Sequence, residues 1–310
     1  MDVQDYPILI PYYLEFHTSF QEILLKYHLP IEYENILRNC NGRFSVNEIQ
    51  SHFKEHQDII KILELFLENG LILLHRKPLK RKNGKTSEII ILSPHSDDAL
   101  FSLGGFILGQ ASSSDITIIN IFTKSDYCVM NEFPKSDSLI TSLRIKEDTL
   151  FAQIANARLY FLDFFEGPLR NKNQIRTEEI ISQIVKKINS LILDTTTQIY
   201  FPLGIGDNVD HIITKQAVFI LSKIFNKIAF WGYEDLPYAA HNQNQVYTLV
   251  KEDFDKAPRS VMIGDFIDSK CNLLKIYHSQ LASNYAAAVR DYSVAKNEHA
   301  YEFLWRLKQR

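Results

Sequence analysis

Residues 93–98 read Ser-Pro-His-Ser-Asp-Asp, placing the imidazole of His95 beside two adjacent carboxylates, Asp97 and Asp98. Like charges a few ångströms apart repel, so the cluster is costly unless something positive sits among them, and a divalent ion would resolve the conflict. His95 and Asp98 carry nitrogen and oxygen donors spaced to chelate an ion from one turn, which leaves Asp97 beside it to handle protons. A second loop, Pro202-Leu203-Gly204-Ile205-Gly206-Asp207-Asn208-Val209-Asp210-His211, ends on another imidazole. Its two glycines allow close backbone approach, and His211 could supply a third ligand. Three protein ligands with an open position define a catalytic zinc site, where bound water ionises near neutrality. The competing reading is structural: Asp is a common helix N-cap, and a lone His opening a helix is ordinary surface. The remaining histidines show no ligand spacing.

The two loops need a scaffold that brings them together. IIIL at 89–92, ITIINIF at 116–122, LYFL at 159–162, IYFPL at 199–203 and IAFWGY at 228–233 are apolar runs bounded by polar turns. Parallel strands buried on both faces have this pattern. Between them, residues 99–110, 138–156, 177–193 and 211–225 have helical spacing. The expected fold is α/β, an open, mostly parallel, Rossmann-like sheet with helices on both faces. Ligands in such sheets bind at the carboxyl ends of the strands, where both loops fall.

The polar, basic stretch LKRKNGKTS at 79–87 separates this region from one of different character. The expected division is a first domain over 1–80, a linker over 81–87 and a second domain over 88–310. In the first, Glu32 to Asn39 reads as a short helix stopped by Asn41-Gly42, and Ser45 with Glu48 forms a capping box that opens another. Ile59, Ile62, Leu63, Phe66 and Leu67 share the face of a third helix, ended by Asn69-Gly70 before an extended LILL run. Three short helices flanked by strands predict a small winged-helix-like domain.

With 310 residues, 45% hydrophobic and 23% charged, the composition is that of an ordinary globular protein. A net charge of -3 gives no reason to expect nucleic acid or an anionic membrane as partner, which moves small-molecule chemistry forward. No run approaches the ~20 apolar residues of a membrane span. The N-terminal residues lack a basic stretch ahead of a long apolar one, so a secretory signal is not expected. Cys40, Cys128 and Cys271 are scattered and odd in number, as suits free thiols in a cytoplasmic protein.

PHSDD with Gly104-Gly105 downstream, Arg144-x-x-Glu147, the PLGIGDNVDH loop, Tyr233-Glu234-Asp235-Leu236-Pro237-Tyr238 and Tyr277-His278-Ser279-Gln280 occur in the order found in the PIG-L/LmbE-like zinc N-deacetylases. The resemblance covers residues 88–310. It implies that His95, Asp98 and His211 ligate Zn²⁺, or alternatively Fe²⁺, with Asp97 as general base in hydrolysis of an acetamide on an amino sugar or related polar compound. Substrate contacts are expected from Arg144, Glu166, Glu234 and Tyr277, and Asp210 either orients a neighbour or caps its helix. Arg144 with Glu147 also reads as a simple helix-surface ion pair. Two residues depart from the family pattern. Ala99 replaces a common Glu, and Asn208 stands where the first His of an H-x-D-H motif belongs. An Asn amide can donate a hydrogen bond to an oxyanion but cannot deliver a proton, so Asp97 must return it, or the activity is altered or absent.

The stretch from Asn35-Ile36-Leu37-Arg38 through Cys40, Gly42, Val46 and Glu48-Ile49 to Phe66-Leu67-Glu68-Asn69-Gly70-Leu71-Ile72 resembles PqqD-like winged-helix domains. That resemblance implies binding of a peptide or carrier protein. Residues 1–80 hold 8 Lys and Arg against 11 Asp and Glu, an acidity that argues against DNA reading. The leading expectation is a cytoplasmic zinc-dependent N-deacetylase of a small N-acyl substrate. The alternatives are a peptide-maturation deacetylase that uses the N-terminal domain for capture, and a non-catalytic metal-binding scaffold.

Overall fold

Alternating apolar runs and amphipathic segments form a seven-stranded sheet, joined by a separate two-stranded one near the N-terminus. The computed structural model describes residues 2, 5–16, 19–54, 56, 58–75, 87–130, 136–173, 176–281, 284–294 and 299–308. The strands are β1 (Tyr6–Leu9), β2 (Ile72–His75), β3 (Glu88–Ser93), β4 (Asp115–Lys124), β5 (Arg158–Phe165), β6 (Thr196–Pro202), β7 (Ala229–Tyr233), β8 (Arg259–Met262) and β9 (Tyr301–Arg306). The helices are α1 (Pro11–Phe16), α2 (Phe20–Lys26), α3 (Glu34–Asn39), α4 (Val46–His52), α5 (Ile59–Glu68), α6 (Asp98–Gln110), α7 (Asp137–Ile154), α8 (Gly167–Lys172), α9 (Thr177–Leu191), α10 (Val209–Ile224), α11 (Tyr238–His241), α12 (Gln243–Val250), α13 (Ile267–Leu273) and α14 (Tyr285–Val294).

The large sheet has the order β5-β4-β3-β6-β7-β9-β8. Its first five strands run parallel. In β3, Ile89 to Leu92 are all at most 2% exposed, as a central strand covered on both faces requires. β4 lies on one side of β3 and β6 on the other, so the chain order reverses there and opens a crevice at the strand ends. Right-handed crossovers place α6 and α7 on one face and α9 and α10 on the other. The antiparallel strands β9 and β8 at the far edge had no counterpart in the apolar runs. The reason is Glu302, which interrupts the apolar pattern of β9 yet points inward. Its carboxylate accepts from the Gly105 and Phe106 amides at 2.9 and 2.8 Å and pairs with Lys270 at 2.7 Å.

Gly104-Gly105 is a packing feature of α6. A Cβ at Gly105 would lie 2.6 Å from Ile263 Cβ, and one at Gly104 3.0 Å from Lys270 Cγ. Bare backbone there lets the segment leading into α13 lie directly on α6.

In the N-terminal part, β1 and β2 pair antiparallel and Ile8 bridges to Asn41. Helices α3, α4 and α5 fall where the sequence places them, and the Ser45–Glu48 capping box forms in both directions. This unit rests on the α/β region. Asn272 Nδ2 donates to Leu74 O at 2.7 Å, and the rings of Tyr12 and Tyr13 meet that of His278 at centroid distances of 4.7 and 5.8 Å. One apolar core runs through both parts. The expected linker, apart from Ser87, and His17 lie outside the described residues.

Candidate metal centre and active-site cleft

The turn between β3 and α6 is closed by its own polar groups. Ser93 Oγ donates to His95 O at 2.7 Å and accepts from Ala99 N at 3.0 Å. Asp98 Oδ2 accepts from His95 N at 2.8 Å, which folds the carboxylate back over the turn. Across the crevice, the loop after β6 delivers His211 in the first turn of α10, wholly buried.

Three donor atoms converge between these elements. His95 Nδ1 lies 3.3 Å from Asp98 Oδ2, His211 Nε2 lies 3.2 Å from the same oxygen, and the two nitrogens are 3.3 Å apart. Ligands held ~2.0–2.1 Å from a tetrahedral ion stand roughly 3.3 Å from one another, so the triangle has the size of one face of a zinc coordination shell. His95, Asp98 and His211 are also the one His/Cys/Asp/Glu group among the described residues whose donor atoms cluster tightly enough for an ion.

Each imidazole is fixed by a carboxylate on its far nitrogen, the support that metal-binding histidines usually have. His95 Nε2 meets Asp210 Oδ2 at 3.1 Å, and Asp210 is anchored by Gly167 N at 2.9 Å and Arg170 Nη1 at 2.6 Å. His211 Nδ1 meets Asp235 Oδ1 at 2.5 Å, while Asp235 Oδ2 accepts from Ile205 N at 3.1 Å. Both rings therefore turn their remaining nitrogen toward Asp98. Burial opposes charge on His211, but Asp98 and Asp235 outweigh it and push the imidazole up to about 9. Burial likewise disfavours charge on Asp98, yet His211 and His95 hold it well below the usual carboxylate range.

Asp97 occupies the N-cap position of α6 without capping it through its side chain. Burial and the charge of Asp98 push its carboxyl up to about 6, against the pull of Arg144 and His95. A carboxylate poised near neutrality suits a general base. The group faces a cleft of about 600 Å³ that Arg144, Glu166, Asn208, Tyr238 and Gln280 also line.

The other expected site residues divide between the cleft and its surroundings. Arg144 is ion-paired with Glu166, whose second oxygen accepts from Ser125 Oγ at 2.6 Å. Arg144 and Glu147 do not form a surface pair. Both are buried, and Glu147 instead accepts from Ser279 N at 2.9 Å and Ser279 Oγ at 2.6 Å, behind the cleft wall. Tyr277 is buried and donates to Asp148 Oδ1 at 3.0 Å. Glu234 faces away from the metal triangle, accepting from Tyr292 Oη at 2.5 Å and Trp305 Nε1 at 2.9 Å. Asn208 lines the cleft and caps α10, its Oδ1 accepting from Asp210 N at 3.0 Å.

Sequence reading missed Arg170, Tyr238 and Gln280. Arg170 sits in a run with no motif, and only its ion pair with Asp210 ties it to His95. Tyr238 and Gln280 close two recognised motifs, but neither motif by itself says which member faces the cleft.

Residues 90–222 match the family model described as PIG-L, GlcNAc-PI de-N-acetylase. The chain is 23% identical over 212 residues to 2'-N-acetylparomamine deacetylase from Streptomyces fradiae, covering 64% of this chain and 76% of that protein. Its fold is shared with the A40926 pseudoaglycone deacetylase, at 22% identity and a TM-score of 0.60 over 73% of this chain and 98% of that one. It is shared also with the zinc-inhibited form of a teicoplanin deacetylase, at 16% identity and a TM-score of 0.61 over 72% and 99%. The resemblance to the PIG-L/LmbE-like deacetylases is thus carried by a family model and by fold.

Proposed function

We propose that this chain, with its PIG-L-type deacetylase region, is a metal-dependent hydrolase that removes an acetyl group from the nitrogen of an amino sugar or a related small polar metabolite. The observation that carries the reading is the triangle of His95 Nδ1, Asp98 Oδ2 and His211 Nε2, with a carboxylate behind each imidazole and Asp97 lining the same cleft. The donor set, two nitrogens and one carboxylate oxygen, suits Zn²⁺ and also accepts Fe²⁺. When bound, such an ion supplies Lewis acidity and lowers the pKa of water toward neutrality.

The chain's own residues do the rest. Asp97 takes a proton from the attacking water and, with no imidazole at position 208, returns it to the leaving nitrogen. Asp210 and Asp235 keep the histidine rings in register through the cycle. The Arg144–Glu166 ion pair forms a polar edge of the cleft against which hydroxyl or amine groups of a sugar ring can lie. The curated relative and the structural neighbours are deacetylases by name, which supports the reaction class.

For the N-terminal unit the proposal is a PqqD-like winged helix that presents a peptide- or carrier-bound substrate to the cleft. The contact of Tyr12 and Tyr13 with His278 favours it, since Gln280, two residues on, lines the cleft. We place the protein in the cytoplasm on its unpaired cysteines. None of its described helices is long and apolar enough to cross a membrane.

The test combines elemental analysis with acetate release from N-acetylated amino sugars and peptides. Wild type should bind one ion per chain and release acetate, His95→Ala should lose the ion, and Asp97→Asn should keep it while kcat falls about 10²–10⁴-fold. Metal binding without turnover of any acyl donor would favour the scaffold reading.

A further inference from the structure

Asn208 stands where an imidazole would serve the reaction, and its side chain lies between the first turn of α10 and Tyr238. The Oδ1 atom caps α10 by accepting from Asp210 N at 3.0 Å, so the amide N–H₂ is the end turned to the neighbouring hydroxyl of Tyr238. A phenol oxygen that accepts an N–H has its own proton left to donate.

Tyr238 is placed to use that proton. It opens α11, lines the cleft, and its ring stands edge-on to His211 at 5.8 Å between centroids. The side chain packs on bare backbone, because a Cβ at Gly206 would come within 2.9 Å of Tyr238 Cγ and Cδ1. Two other donors on the cleft wall already have partners, Arg144 in Glu166 and Gln280 Nε2 in Ser279 Oγ at 3.1 Å.

We infer that Tyr238 is a catalytic residue of this site, whose hydroxyl, oriented by Asn208, donates a hydrogen bond to the substrate carbonyl oxygen as it becomes anionic. The inference rests on the deacetylase reading for the identity of that oxygen. Water adds to the carbonyl carbon, the C=O electron pair moves onto oxygen, and Tyr238 stabilises the resulting charge without giving up its proton. When the C–N bond breaks, the pair returns to the carbonyl and the amine leaves with the proton held by Asp97. A donor aimed at the charged intermediate acts on kcat far more than on KM.

The experiment compares wild type, Tyr238→Phe and Asn208→Ser, each reconstituted with zinc. Three properties are measured: metal content, turnover of N-acetylglucosamine, and affinity for two probes, the methylphosphonamidate of glucosamine as a tetrahedral anionic mimic and glucosamine as product. Tyr238→Phe should keep full zinc, hold KM and glucosamine affinity within about two-fold, lose on the order of 10²-fold in kcat, and bind the phosphonamidate at least about ten-fold more weakly. Asn208→Ser, which keeps a side-chain cap but removes the amide donor, should lose part of the same phosphonamidate affinity. The inference is overturned if Tyr238→Phe matches wild type on the phosphonamidate, or if both probes weaken equally, which marks a plain wall residue. A wild type that releases no acetate yet binds the phosphonamidate through Tyr238 would defeat the deacetylase reading and leave the donor role standing. A wild type that does not bind the phosphonamidate defeats the donor role.

Discussion

Asp235 shows how much a single side chain decides when two donors depend on it. One oxygen takes His211 Nδ1 and the other takes Ile205 N, so an Asn side chain there, with one oxygen, leaves one N–H unmet or lets the ring turn. Asp235→Asn should therefore weaken zinc binding about 10–100-fold, as measured by chelator competition. Unchanged affinity would mean that ring packing alone holds His211. Glu147 gives a prediction of a different kind. Burial outweighs the Ser279 hydrogen bonds and pushes its carboxyl from 4.5 up to about 8. In that interval the unfolded chain has released the proton and the folded chain still holds it, so stability present below about pH 4.5 is lost as pH rises toward 8. Glu147→Gln, which cannot ionise, should flatten the fall of Tm across this window. Parallel Tm curves for the two proteins would show that Glu147 is already charged in the fold.

At the scale of elements, the site depends on how closely helices approach the sheet and one another. Helix α6 starts at the metal triangle, and its middle turn is bare at Gly105 so that Ile263 can sit against it. A methyl group placed 2.6 Å from Ile263 Cβ forces either the segment before α13 or α6 itself to move. Gly105→Ala should cost roughly 1–3 kcal/mol in denaturant unfolding. It should leave zinc stoichiometry intact if the strain is absorbed by the α13 side. Wild-type stability would show that the segment gives way freely. The helices and the inner parallel strands were legible because their apolar runs are uninterrupted, whereas LYFL in β5 lies at the sheet edge and leaves Tyr160 41% exposed instead of covered on both faces. Strand β9 was not, because the inward Glu302 looks like a surface residue until Lys270 and the amides of α6 are seen around it.

For the whole molecule, the seam between the N-terminal unit and the α/β region matters most. Sequence reading treats residues 1–80 as separable, and in the structure Tyr12 is 2% exposed with its ring tilted against that of His278, beside the turn that carries Ser279 and Gln280. Tyr12→Ala should cost on the order of 3 kcal/mol and raise KM through a loosened cleft wall. A loss of stability with kinetics unchanged would make the seam purely structural.

The sequence by itself determined the pieces of this protein that depend on neighbours along the chain. These are the turn carrying His95, Asp97 and Asp98, the glycine loop ending in His211, the capping box at Ser45, and the parallel strands whose runs of Ile and Phe need cover on both faces. Convergence was decided elsewhere, because hydrogen bonds and ion pairs between distant segments have no local period to read. Only the tertiary structure sets Arg170 behind Asp210 and Asp235 behind His211, gives Glu166 to Arg144 and Ser279 to Glu147, and turns Glu234 away while Tyr238 faces the cleft. Adjacent residues on the turn after β7 point to opposite sides, and which side meets the metal centre follows from the reversal of strand order at β3 and β6.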